Sequence, residues 1–293
     1  MGSSVRCCLI ANPVSGAGRA VRSAERVAAL LAAQGVETGL VRTEKAGDAG
    51  AHAARAADGC AKIVVFGGDG TLNEVLNALP HFRTPLALVP HGTANLLGRE
   101  LHLPRAPHAV VRLLTQNRVR WLDLGVANGQ RFLVVGGVGF DGEVTSVVRG
   151  QRRGSLSMLD YVKPVIDVFR RWQAPELHVS LDGESLPGVT SFAVVSNVRN
   201  YAGLFSLTPD ASPEDGFLNV CLLRGRARKD LVRLYVGGLF HRPPGDGIAE
   251  EHLAREIRID APVPVPYQID GDPAGTTPVT FTMQSRAVPV LVP

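Results

Sequence analysis

The sequence predicts an α/β chain in two parts, a parallel sheet covered by helices followed by a mainly antiparallel β domain. Three observations carry this prediction. Short apolar runs alternate with helical periodicity over the first third of the chain. Two hairpin-type dipeptides, Asn128-Gly129 and Asp182-Gly183, lie between strand-like runs in the remainder. The 293 residues, 45% apolar and 20% charged, suffice for two cores.

The elements follow in order. Val5 to Ala11 reads as a buried strand, and from Ala20 to Gln34 apolar residues recur at Val21, Ala24, Val27, Ala28 and Leu31, with Gly35 placed to end the helix. Val36 to Arg42 is a second strand, Asp48 to Ala57 an Ala-rich helix, and Lys62 to Phe66 a third strand. Leu72 to Leu79 is helical, Leu86 to Val89 extended, and Ala94 to Leu101 begins a helix. Beyond about residue 120, Trp121 to Ala127, Arg131 to Val135, Val189 to Ser196, Phe217 to Leu223, Glu256 to Ile259, Val265 to Ile269 and Val279 to Met283 read as strands. Helices are expected at Met158 to Trp172 and Lys229 to Phe240. The boundary falls near Asp123, giving domains of residues 1–123 and 124–293.

Composition excludes several functions. No segment approaches the roughly 18 to 20 uninterrupted apolar residues that cross a bilayer. Arg6 interrupts the N-terminal stretch, so a signal peptide is not expected. Cys7, Cys8, Cys60 and Cys221 lack zinc-ligand spacing and read as reduced, buried thiols of a cytoplasmic protein. Net charge is +4 and pI about 9.1, but aromatics are 5% and do not interleave with basic residues, which argues against a nucleic-acid partner.

Three strand ends carry similar chemistry: Asn12-Pro13-Val14-Ser15-Gly16, Gly67 to Asn73, and Gly92-Thr93-Ala94-Asn95. In an open α/β sheet, ligands bind beyond the carboxyl ends of the strands, so the three turns are expected to converge. A glycine-rich turn opening a helix favours an anion, because unpaired N–H groups and the helix dipole act together there. None is a Walker A loop or a G-x-G-x-x-G. Bland readings exist for each. Thr71 and Glu74 have capping-box spacing, Pro13 and Ser15 are ordinary turn residues, and Thr93 suits a helix cap. Asp69 beside phosphates would be repelled by them unless a cation lies between, or unless N–H groups bind the carboxylate and hold it away. Magnesium suits the first case, being bound through one or two carboxylates plus phosphate oxygens and waters.

The stretch Gly67-Gly68-Asp69-Gly70-Thr71-Leu72-Asn73-Glu74-Val75 lies between Asn12-Pro13-Val14-Ser15-Gly16 and Pro90-His91-Gly92-Thr93-Ala94-Asn95. Together these resemble the catalytic domain of the diacylglycerol kinase family, bacterial soluble lipid kinases similar to sphingosine and ceramide kinases. The likeness continues through Thr43-Glu44-Lys45, Gly47-Asp48-Ala49, Gly137-Val138-Gly139-Phe140-Asp141, Pro209-Asp210-Ala211, Asp215-Gly216 and Asp270-Gly271-Asp272. It implies a Rossmann-like first domain of the phosphofructokinase/NAD kinase-like type and a β-sandwich-like second domain. It also implies ATP over Asn12 to Gly16, Arg19, Thr43, Gly67 to Asn73, Thr93 and Asn95.

A structural magnesium on Asp215, with backbone oxygens of Ser212 and Phe217, is implied in the same way; spacing alone reads Asp215-Gly216 as a hairpin turn. Asp272 stands where the family has the Glu taken as general base, one methylene shorter, and Asp270 is a candidate to share that role. A lipid hydroxyl needs such a carboxylate within hydrogen-bond reach, although Asp270-Gly271-Asp272-Pro273 is also a good turn sequence. Leu96 departs from the acidic residue that many members carry after G-T-x-N.

Arginines cluster at 149–153, at Arg170 and Arg171 beside Trp172, and at 224–229. Most such runs are solvated faces. A lipid substrate at a membrane surface would use them, at about 1 kcal/mol per basic residue near anionic lipid, with Phe169, Trp172, Leu239 and Phe240 inserting. The expectation is an ATP- and Mg2+-dependent lipid kinase, cytoplasmic with peripheral contact at the inner face of the membrane, and a homodimer through exposed sheet edges. The alternatives are an NAD kinase-like small-molecule kinase and a non-catalytic nucleotide-sensing regulatory protein.

Overall fold

The computed structural model describes residues 6–151, 159–201, 203, 205–240 and 247–293. Val5, Arg152, Arg153 and Met158, named above, lie outside them. The chain divides into two compact units, residues 1–122 with Arg286–Pro293, and Asp123–Ser285. Residues 286–293, expected in the second domain, therefore belong to the first.

The first unit alternates β1 (Arg6–Ala11), α1 (Arg19–Ala32), β2 (Glu37–Arg42), α2 (Asp48–Ala56), β3 (Lys62–Gly67), α3 (Asp69–Ala78), β4 (Leu86–Pro90), α4 (Leu96–Glu100) and α5 (Pro107–Gln116). The strands pair in parallel in the order β2-β1-β3-β4. Leu9, Ala11, Val64, Phe66, Ala87 and Val89 pack with α1 and α5. The intervening Ile10, Ile63 and Val65 are equally buried and point to the other face, as strand alternation requires. Burial on both faces explains why these strands read as unbroken apolar runs. The helix α5 was not anticipated; Pro107 occupies its first turn, where a missing N–H costs nothing.

The second unit begins within β5 (Val119–Ala127) and continues as β6 (Gln130–Phe132), β7 (Val135–Val138), α6 (Phe140–Gln151), α7 (Leu159–Arg171), β8 (His178–Leu181), β9 (Glu184–Ser185), β10 (Phe192–Ser196) and β11 (Leu218–Leu223). There follow α8 (Arg228–Leu239), β12 (Ala249–Ala254), β13 (Glu256–Asp260), β14 (Pro266–Ile269), β15 (Asp272–Thr276) and β16 (Val279–Leu291). Six strands form an antiparallel sheet in the order β12-β11-β10-β7-β14-β15. A second antiparallel layer joins β8 to β13 and β13 to the first residues of β16. Between the layers lie Phe132, Val195, Val220, Ile257, Ile259, Tyr267 and Phe281. Asn128-Gly129 turns the β5–β6 hairpin with φ of 45° and 87°, the left-handed pair that such a turn demands.

Further features differ from expectation. The α6 helix grows directly out of the Gly-rich β7, β12 adds an unforeseen edge strand, and β16 runs to Leu291, with Val290 paired to Leu86 of the first unit's own sheet.

Candidate functional site

In the first unit, backbone contacts stitch the three predicted turns together at the strand ends. The Asn12 N–H donates to Phe66 O at 3.0 Å, Thr43 N–H to Ala11 O at 3.0 Å, and His91 N–H to Gly67 O at 2.7 Å. The Asn12 amide donates to Thr71 Oγ1 at 3.0 Å, and its Oδ1 accepts the Val14 N–H at 3.1 Å. Arg19 Nε closes the same loop on Gly16 O at 2.8 Å. Pro13 and Val14 are exposed at its tip, with Ser15 half-buried.

The turn before α3 and the turn before α4 meet backbone to backbone. A Cβ on Gly92 would lie 2.5 Å from Gly68 Cα, and one on Gly68 2.8 Å from Gly92 Cα. No side chain other than hydrogen fits there. Asn95, fully buried, fixes the second turn from within: its Oδ1 accepts Gly92 N–H at 2.7 Å and its Nδ2 donates to Gly92 O at 2.6 Å. Asn95 therefore shapes the turn, while Thr93 is exposed on it.

Helix α3 starts at Asp69, with Gly68 as its cap and no side chain capping it. Thr71 is consequently inside the first turn and buried, so Thr71 and Glu74 do not form the capping box that their spacing suggested. Thr93 does not cap α4 either, since Asn95 occupies that position. Gly70 is exposed at the start of α3, Leu72 is buried in the core, and Asn73 accepts the Asn77 amide one turn on at 3.1 Å.

Asp69 meets the second of the two cases, a carboxylate held by N–H groups. Its Oδ2 accepts the Leu96 N–H at 3.0 Å, so the carboxylate caps the α4 end while the Leu96 side chain packs inward. Its Oδ1 is sequestered from solvent with no hydrogen-bond partner among the described residues. Burial pushes this carboxyl up, against the N–H groups of Leu96, Leu97 and Asn95 that favour its ionised form. A sequestered carboxylate oxygen without a donor fits a magnesium that arrives with phosphates. On the third turn, His91 Nε2 is buried without a partner among the described residues, and burial with the charges of Arg105 and Arg19 lowers its pKa, favouring neutral imidazole. Sequence reasoning overlooked His91 because one His in a Pro-Gly turn carries no periodic signal.

In the second unit, Asp270 and Gly271 form the β14–β15 turn with φ of 48° and 87°. The Asp270 carboxylate accepts three backbone N–H groups, from Leu133 at 3.1 Å and from Val134 and Val135 at 3.0 Å each. It holds the turn, and those bonds oppose the shared base role expected of it. Asp272, the first residue of β15, instead faces outward, with Oδ1 3.3 Å from Arg149 Nη1 and both side chains about half exposed. A carboxylate presented this way can accept a proton.

The residues expected to hold a metal in this unit gather around a different turn. Asp215 Oδ1 accepts Phe217 N–H at 2.9 Å, and the fully buried Asp123 accepts Gly216 N–H at 2.6 Å. Burial raises the Asp215 pKa, and the charge of Asp123 adds to the effect. Asn197 donates to Asp123 O at 3.0 Å and leaves its Oδ1 buried without a partner. Two neighbouring carboxylates are the oxygen donors a hard cation takes. No cluster of three or more His, Cys, Asp or Glu occurs among the described residues, so any cation here would rely on backbone oxygens. Asp215-Gly216 is not a hairpin turn: β10 and β11 pair, but across the long connection 197–217.

The basic surface is partly spent. Arg224 pairs with Glu250 at 2.9 Å, Arg226 with Glu176 at 2.9 Å, and Arg228 donates to Trp172 O at 3.2 Å. Trp172, expected to insert into a membrane, is buried against Phe140. Leu239 and Phe240 are exposed as expected, and α7 adds Leu159, Val162, Val165 and Ile166. No helix among the described residues is long and apolar enough to cross a membrane. All four cysteines are free, with Cys60 only half-buried.

Residues 6–127 match the model of the diacylglycerol kinase catalytic domain, and residues 134–292 that of the YegS C-terminal NAD kinase beta sandwich-like domain. A protein named diacylglycerol kinase from Bacillus subtilis (strain 168) is 28% identical over 297 residues, covering 98% of this chain and 96% of the relative. One of the same name from Staphylococcus haemolyticus is 27% identical, covering 97% and 87%. The crystal structure of a diacylglycerol kinase from Bacillus anthracis str. Sterne matches with a TM-score of 0.78 at 22% identity, over 100% of this chain and 98% of that one. This likeness carries the two-domain fold.

Proposed function

The chain belongs to the family of diacylglycerol kinase catalytic domains followed by the YegS-type C-terminal β-sandwich domain, and from that premise we propose that it transfers the γ-phosphoryl group of ATP to the hydroxyl of diacylglycerol or a related lipid alcohol. The observation that carries this reading is the joining of three glycine turns at one sheet edge around the unsatisfied Asp69 Oδ1. N–H groups of the α3 turn take the phosphate charge, with Asn12 and Thr71 setting the cradle and Arg19 closing its rim.

Bound with the nucleotide, magnesium supplies charge neutralisation of the phosphates, and Asp69 is the residue we assign to hold it. A second, structural magnesium is assigned to Asp215 with the backbone oxygens of Ser212 and Phe217, next to Asp123. Asp272 accepts the hydroxyl proton as the new oxygen–phosphorus bond forms and the bond to the leaving ADP oxygen breaks. Apolar residues exposed on α7 and the exposed cations Lys163, Arg170 and Arg171 suit contact with an anionic bilayer from which the lipid is taken. The edge strand β12, with Leu253 exposed, is where a second copy would pair.

The decisive experiment incubates the protein with γ-labelled ATP and a total bacterial lipid extract, and identifies labelled products by mass spectrometry. A labelled phospholipid, lost in Asp272→Ala and Asp69→Ala, is expected. Wild-type transfer in both variants, or label on NAD and no lipid, would overturn the reading. Sedimentation with phosphatidylglycerol vesicles, but not with phosphatidylcholine vesicles, is expected of the membrane contact.

A further inference from the structure

Asp141 has no part in the chemistry described so far, yet it is a buried carboxylate with a complete set of donors. It sits in the first turn of α6, in the middle of an apolar stretch. The hydroxyl of Tyr201, from the segment after β10, and that of Tyr235 on α8, at 3.0 Å, donate to its two oxygens. The Gln268 side-chain amide on β14 is the third donor. Glycine at position 137 makes room: a Cβ there would lie 2.5 Å from Asp141 Oδ2 and 3.0 Å from Gln268 Nε2.

A carboxylate buried without a counter-charge is expensive, and apolar residues would fill this site more cheaply. Its partners are two hydroxyls and an amide, and burial pushes the carboxyl up to about 6. What the carboxylate achieves is orientation. A pure acceptor forces the NH2 end of Gln268 toward itself, so the other end, Oε1, must point the opposite way. That oxygen accepts the Gly271 N–H at 2.8 Å. Gly271 is the second residue of the turn whose next residue is Asp272, and Gln268 is itself buried.

The turn thus has two anchors. One is the Asp270 carboxylate on the N–H groups of Leu133, Val134 and Val135. The other runs from Tyr201 and Tyr235 through Asp141 and Gln268 to Gly271. We propose that Asp141, with Tyr201, Tyr235 and Gln268, is a positioning unit that locks the Gln268 amide and thereby sets where Asp272 presents its carboxylate. This rests on the reading of Asp272 as the base.

The test compares full-length wild type, Asp141→Asn, Gln268→Leu, the double variant and Asp272→Asn. Turnover is followed with γ-labelled ATP and dioleoylglycerol in mixed micelles, and amide hydrogen exchange at residues 270–272 is followed without substrate. Asp141→Asn keeps shape but lets the Gln268 amide flip; Gln268→Leu removes the bond to Gly271 outright. Each single variant is expected to lower kcat by at least about tenfold with KM for ATP within about twofold. The double variant should fall no further, because the two residues act as one unit. Gly271 N–H protection should drop in both singles, while that of Val134 and Val135 persists. Unchanged Gly271 exchange in both variants would overturn the proposal whether or not the micelles support turnover. Unchanged turnover in Asp272→Asn alone would instead sink the base assignment and leave the exchange result standing.

Discussion

The glycine turns of the first unit and the Asp270–Asp272 turn of the second are built by opposite means. In the first, backbone meets backbone: Gly68 and Gly92 approach so closely that position is set by the absence of side chains. In the second, side chains reach into the backbone, with Asp270 holding three N–H groups and Gln268 a fourth. The first is the device we assign to a polyanion. The second fixes one carboxylate at a defined place while keeping it in water. The two requirements differ because a phosphate cradle needs many weak donors, whereas a base needs a single atom in the right position.

Breaking each device should give a different phenotype. The largest effect is expected within the acidic turn, where Asp270 and Asp272 should separate cleanly. Asp270→Ala leaves three buried N–H groups without their acceptor and should cost about 3 kcal/mol in urea unfolding. Asp272→Ala breaks an exposed pair worth at most about 0.5 kcal/mol, yet should lower turnover by about a hundredfold or more. If both variants lost stability equally, the division of labour between them would be wrong.

Next comes Gly92→Ala, whose methyl would meet Gly68 Cα with no flexible side chain to yield. A loss of about 2 kcal/mol in unfolding free energy and at least about tenfold weaker ATP binding by calorimetry are expected. Unaltered binding would mean that the turns tolerate separation.

The third effect concerns the pH dependence of stability. The Asp141 carboxyl titrates at about 6 in the folded chain, above its ordinary 3.8. Between those values the folded state holds more protons than the unfolded one, so this group's contribution is fully present below about pH 4 and is lost as pH rises through about 6. The change is on the order of 2–3 kcal/mol. Asp141→Asn should remove that part of the slope in urea melts taken from pH 4 to pH 7, with the other carboxylates' contributions left in place.

Much of the fold is legible in the sequence because its signals are local. Asn128-Gly129 announces a hairpin since few other residues take two successive left-handed conformations, and the parallel strands announce themselves by unbroken burial. Elements were missed where local signals conflict. Gly136, Gly137 and Gly139 make the approach to α6 look like loop, and the polar Gln284-Ser285-Arg286 hides the continuation of β16. The cradle was legible as three turns, but the tie from Asp69 to the Leu96 N–H spans 27 residues and exists only once strands are adjacent. Asp141 is the hardest case. Its partners Tyr201, Tyr235 and Gln268 come from three separate segments, and no spacing rule links them.

The return of Arg286–Pro293 to the first unit has a consequence during synthesis. The strand position next to β4 is filled by Val290, and Val292 N–H bonds to Arg118 O at 3.0 Å. During synthesis the amino-terminal sheet therefore keeps one flank unpaired until residues 286–293 have been made. Unlike a domain that folds as it emerges, this one must wait, and the second unit has the chance to form first.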